Sequence, residues 1–115
     1  MDKELKERYF KLVDNYKKLV DEIDKLSTRV ERLRLSLSNS SLREMILTTL
    51  NSVGESCRTD VVKLSLIYYP SQLTELALNM SEGLLAYTHG LEGYEEDLNY
   101  YSEKLQKLNI LLSRL

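Results

Sequence analysis

The sequence predicts an all-α fold, an elongated antiparallel helical bundle or coiled coil of three long helices, and three observations carry that prediction. From Leu73 to Leu115 apolar residues return in twelve consecutive steps alternating four and three: Leu73, Ala77, Met80, Leu84, Tyr87, Leu91, Tyr94, Leu98, Tyr101, Leu105, Leu108, Leu112 and Leu115. That spacing is a heptad repeat, in which one helix face stays apolar along its whole length. The N-terminal stretch repeats it, with Leu5, Leu12, Leu19, Leu26 and Leu33 in one column and Tyr9, Tyr16, Ile23, Val30 and Leu37 in the other. Finally, 4 Gly and 1 Pro in 115 residues are too few to punctuate a sheet with turns. The chain therefore reads as a single helical domain over residues 1–115.

The first helix is expected over about residues 2–37. Val13 and Val20 lie one position beyond the seam and widen its apolar face, as a bundle helix requires. Tyr9 and Tyr16 are bulky for a two-stranded seam, which favours a core of three or four helices. The Ser36–Ser41 stretch breaks the pattern, because serine and asparagine side chains compete for backbone hydrogen bonds. Ser41 with Glu44 then fits a capping box, so the second helix is expected over about 42–68.

In that second helix Ile46, Leu50, Val53, Cys57, Leu64 and Ile67 keep the rhythm. Asp60 occupies the one missed step, and Val61 beside it is the expected substitute. Gly54 costs about 1 kcal/mol relative to alanine if the helix runs through it. Tyr69-Pro70 ends the segment, since the residue before proline is pushed out of the helical region. The third helix is expected over about 71–115. Gly90 and Gly93 are its weak points, and a break there would give a four-helix bundle instead. Continuity is favoured, because a tight turn has no reason to preserve heptad phase.

Lengths carry the functional expectation. If the first two helices fold back on each other, the third, climbing from Leu73, reaches the serine-rich loop near residue 102. The turns beyond it then overhang. Tyr101, Leu105, Leu108, Leu111, Leu112 and Leu115 would form a seam with no neighbour in its own chain, and exposed apolar seams of that size mark interaction sites. A non-catalytic assembly or adaptor protein follows, a homodimer or a docking site for a helical protein partner.

Charge supports a second expectation. Residues 1–37 hold ten Lys and Arg against eight Asp and Glu, and residues 71–115 hold three against seven. Lys11, Lys18, Lys25, Arg29, Arg32, Arg34 and Arg43 would follow the phosphates of a nucleic acid in a small nucleoprotein subunit. The favoured alternative is an ordinary solvated face, because Glu7, Asp14 and Asp21 form the adjoining column.

Catalysis finds little footing. His89 is the single histidine, in register with Glu82 and Glu96, and reads as a surface residue more readily than as a base or metal ligand. Cys57 lies on a seam, where a small hydrophobe needs no activating partner. Glycine-rich phosphate loops, HExxH and CxxC spacings are absent from the sequence. The expectation is therefore no enzyme and no cofactor. The Met1-Asp2-Lys3-Glu4 opening is charged where a signal peptide would be basic and then apolar, and no apolar run is long enough to span a bilayer. A cytoplasmic location without membrane contact is expected.

Overall fold

The computed structural model describes residues 3–34, 37–68 and 83–114, with side chains described for 3–34, 38–64 and 90–114. Within them lie three long α-helices and no strand. These are α1 (Lys3–Arg32), α2 (Ser40–Tyr68) and α3 (Gly83–Ser113), with a 3₁₀ turn over Leu37–Asn39 before α2. At 1.5 Å per residue each helix is roughly 45 Å long, and the molecule is extended, 58 × 22 × 18 Å. Its radius of gyration is 17.7 Å, against about 13 Å for a compact domain of this length.

The heptad columns of α1 point inward from Tyr9 to Val30. Tyr9, Leu12, Tyr16, Leu19, Ile23, Leu26 and Val30 are all buried. They share one core with Ile46, Leu50, Val53, Cys57 and Leu64 of α2 and with Leu91, Leu105, Leu108 and Leu112 of α3. Three contacts give the sense of α2: Tyr9 donates to the Leu64 carbonyl, the Tyr16 hydroxyl meets the Asp60 carboxyl, and Arg43 donates to the carbonyls of Val30 and Glu31. Partners descend α2 as they ascend α1, so α2 runs back along α1. Gly54 sits at a close approach on this line. A Cβ there would meet Ile23 Cγ2 at 3.3 Å and Arg58 Nη1 at 3.2 Å.

Three boundaries or positions differ from the sequence reading. α1 ends at Arg32 rather than at Leu37. Its last carbonyls are met by tertiary and 3₁₀-type donors instead of another turn: Leu33 N–H donates to Val30 O at 3.2 Å, and the Arg43 guanidinium reaches Val30 O at 3.3 Å and Glu31 O at 3.0 Å. α2 begins at Ser40, before the expected start at Leu42. Asp60 itself, not Val61, takes the core step and is only 8% exposed, while Val61 stays partly buried beside it.

The helix α3 passes through Gly90 and Gly93 unbroken, with nothing within 4 Å of a Cβ built at either. The overhang, however, is not there. Leu105, Leu108 and Leu112 are each 5% exposed within their own chain. The length count sets residue 102 level with Leu37, an offset of about 65 positions, whereas Tyr16 meets the carbonyl of Tyr94, 78 positions away, so α3 lies some twenty ångströms (~20 Å) nearer the start of α1 than the count assumed. Register follows the side chains that bury together, which a count of residues through a connection does not contain.

Several expectations fall outside the described residues. They are the start of the third helix near 71, the side chains of Ile67, Tyr68, Tyr69, Leu73, Ala77, Met80, Leu84, Tyr87 and His89, and Leu115.

Candidate functional site

The most unusual chemistry in the described core is a carboxyl group under the helix seams. Heptad phase turns Asp60 of α2 inward, and the same phase on α1 and α3 brings tyrosines to meet it. The Tyr16 hydroxyl is 3.1 Å from Asp60 Oδ2 and 2.7 Å from the backbone carbonyl of Tyr94. Tyr16 is fully buried, and Tyr94 and Tyr101 are half-buried at the edge of the cluster. Burial, first of all, raises the Asp60 carboxyl above the ordinary carboxylate range. The Tyr16 hydrogen bond opposes the rise, Asp97 adds to it, and Lys63 and the Tyr101 hydroxyl oppose it.

The neighbouring groups respond to the same environment. Burial, then Asp60, pushes the Tyr16 phenol well up, and the same two causes raise Tyr94 and Tyr101. Cys57, one turn before Asp60, is buried and free, and burial followed by Asp60 pushes its thiol up to about 12. A thiol held there is protonated at neutral pH and is a poor nucleophile. Among the described residues no group of three or more His, Cys, Asp or Glu is arranged to hold a metal ion, and no helix is long and apolar enough to cross a membrane.

The seven basic residues of the nucleic-acid reading have different neighbours. Lys11 lines a depression with Glu4, Glu7, Arg8 and Glu95, toward the start of α1. Lys18 pairs with Asp14 at 2.9 Å, one turn before it. Arg43 is engaged by the α1 carbonyls, where a cation also suits the negative end of the helix dipole. Lys25, Arg29 and Arg32 do converge, around a shallow depression they share with Asp24, Thr28 and Leu33. Asp24 there is ion-paired with Arg58 of α2. Arg34 is exposed just past the helix end.

The six residues expected to form a partner seam divide differently. Leu105, Leu108 and Leu112 are core, and Tyr101 and Leu111 are partly buried against it. Exposed apolar side chains occur elsewhere, at Phe10, Met45, Val62, Tyr100 and Ile110. Val62 is 58% exposed. It borders a groove of about 300 Å³ between α1 and α2 lined by Lys17, Val20, Asp21, Arg58 and Val61.

Sequence reasoning missed the Asp60 cluster by treating the aspartate as a skipped step. The signal was available: an acid in heptad phase on one helix and tyrosines in phase on two others. The long-range ion pairs Arg8–Glu95 and Arg58–Asp24 carried no such signal, because they depend on register. Comparison with protein-family models, with curated proteins and with solved structures finds no match. The functional reading rests on this chain's own residues.

Proposed function

We propose that this chain is a non-catalytic helical assembly module, an antiparallel coiled-coil bundle whose seams close on themselves and whose outer face receives a further helix. The observation that carries the reading is the α1–α2 groove. Val20, Val61 and the exposed Val62 supply an apolar floor, and Lys17, Asp21 and Arg58 supply a charged rim of both signs. Helices dock into grooves of this kind by their apolar faces, and the rim charges set orientation more than affinity. With Leu105, Leu108 and Leu112 buried, this groove replaces the C-terminal seam as the docking face. Self-association through it is the simplest form of the proposal.

Sedimentation equilibrium tests the proposal directly. The wild-type chain is expected to exceed monomer mass at tens of micromolar, and Val62→Glu to return it to the monomer with helicity unchanged by circular dichroism. A wild-type monomer across that range would remove self-association, and an unchanged mass in Val62→Glu would remove the groove.

A second reading, nucleic-acid contact, keeps a smaller footing in Lys25, Arg29 and Arg32, which converge on one depression at the end of α1. It predicts retention on DNA or RNA that weakens with salt and with joint Arg29→Glu and Arg32→Glu reversal. Absence of retention at low salt ends it.

A further inference from the structure

The Tyr16 hydroxyl has one hydrogen and faces two acceptors. It lies 2.7 Å from the Tyr94 carbonyl oxygen and 3.1 Å from Asp60 Oδ2. A single hydroxyl hydrogen makes one strong bond and leaves the second acceptor at most a weak share of it. At 2.7 Å the carbonyl contact is a normal O–H···O bond. If Tyr16 donates there, a carboxylate at Oδ2 would set two oxygens 3.1 Å apart with no proton between them, in a buried site. A carboxylic acid removes the conflict. Its own O–H donates to the Tyr16 oxygen, Tyr16 donates to the Tyr94 carbonyl, and the carboxyl still accepts from the Tyr101 hydroxyl.

We propose that Asp60 is a carboxylic acid in the folded chain, the first donor of a relay through Tyr16 to the backbone of α3, and that loss of its proton loosens α3 around Tyr94. When the proton leaves for solvent, the Tyr16 hydrogen turns to the carboxylate and the Tyr94 carbonyl loses that donor. The new charge is faced by Tyr16 from α1, by Tyr94, Asp97 and Tyr101 from α3, and by Cys57 and Lys63 from its own helix. Lys63 alone among these is a cation, and Asp97 repels the charge. Burial, with a smaller contribution from Asp97, holds the carboxyl's affinity for its proton above that of the free side chain, against the opposing Tyr16 and Tyr101 hydroxyls and Lys63.

The direction of the pH effect follows. The folded state holds the Asp60 proton more tightly than the unfolded state. The stabilisation is complete below the unfolded value near 3.8, declines as pH rises toward the raised folded value, and is lost above it. The device is a seat for α3 that weakens on alkalinisation.

Side-chain carboxyl ¹³C NMR of the full chain between pH 3 and 9 tests it. The Asp60 carbon is expected to titrate above the free side-chain value near 3.8, and amide-exchange protection over residues 94–101 to fall as pH rises toward that midpoint and to level off there. Asp60→Asn supplies an uncharged donor in place of the acid. Its α3 protection, compared with wild type at matched pH, is expected to be equal at low pH and higher above the midpoint, with the ratio changing by up to about tenfold per pH unit, the limit for one proton. Titration of Asp60 at or below the free side-chain value near 3.8 would overturn the proposal. So would equal α3 protection in the two proteins at every pH. Should Asp60→Asn not fold, the wild-type chain decides: amide protection that falls up to the carbon midpoint and levels off there supports the relay, and protection that does not change below that midpoint refutes it.

Discussion

Tyr16 connects all three helices through one oxygen, and its removal isolates that contribution. Tyr16→Phe keeps the ring in the core but leaves Asp60 and the Tyr94 carbonyl without their shared partner. Asp60 keeps the Tyr101 hydroxyl, so the cost is that of a lost hydrogen bond, about 0.5–1.5 kcal/mol. The expected outcome is a loss of that size in urea unfolding, with helicity retained in the folded state. Cys57 makes a complementary case. With no exposed surface and a thiol raised to about 12, it is expected to react with a disulfide reagent only when the chain opens. The rate should therefore rise with urea in parallel with unfolding. Cys57 was legible as a core residue from its seam position alone. Asp60 was not, because an acid in a heptad column reads as an interruption until its hydrogen-bond partners are known.

Among the helices, the glycines separate propensity from packing. Gly90 and Gly93 sit in α3 with open space where a Cβ would stand. Alanine at either is expected to raise stability by about 1 kcal/mol, the difference in helix propensity. Gly54 has Ile23 and Arg58 against it. Gly54→Val adds a branched side chain at that close approach and is expected to cost about 1–3 kcal/mol through overpacking. Thermal unfolding of the three variants, read against the wild type, checks both signs. Periodicity carried α3 through its glycines correctly, since an unbroken four-three rhythm demands an unbroken helix. It placed the end of α1 too late, because Leu33 and Leu37 continue the rhythm while Arg43, a residue of the next helix, closes the α1 carbonyls.

For the molecule as a whole, the C-terminal leucines are the test of register. Leu108→Ala is expected to cost about 2–5 kcal/mol, the range for a buried leucine. Truncation after Glu103 is expected to expose the core of α1 and α2 and to lower helicity throughout, rather than to leave a folded remainder. An overhanging segment would give the opposite result in both, and far-ultraviolet circular dichroism with urea titration separates the two. All-helical class, the inward columns of α1, the core positions of α2 apart from Asp60, and the continuity of α3 were all present in the residue spacing. Helix periodicity is a local property, set by 3.6 residues per turn and by which residues avoid water. The level at which α3 meets α1, the burial of Leu105, Leu108 and Leu112, the Arg58–Asp24 and Arg8–Glu95 pairs, and the turn of Asp60 toward Tyr16 were decided only in three dimensions. A heptad seam looks alike at every seventh residue, so it fits its neighbour in several registers. The mutual burial of particular side chains selects one of them.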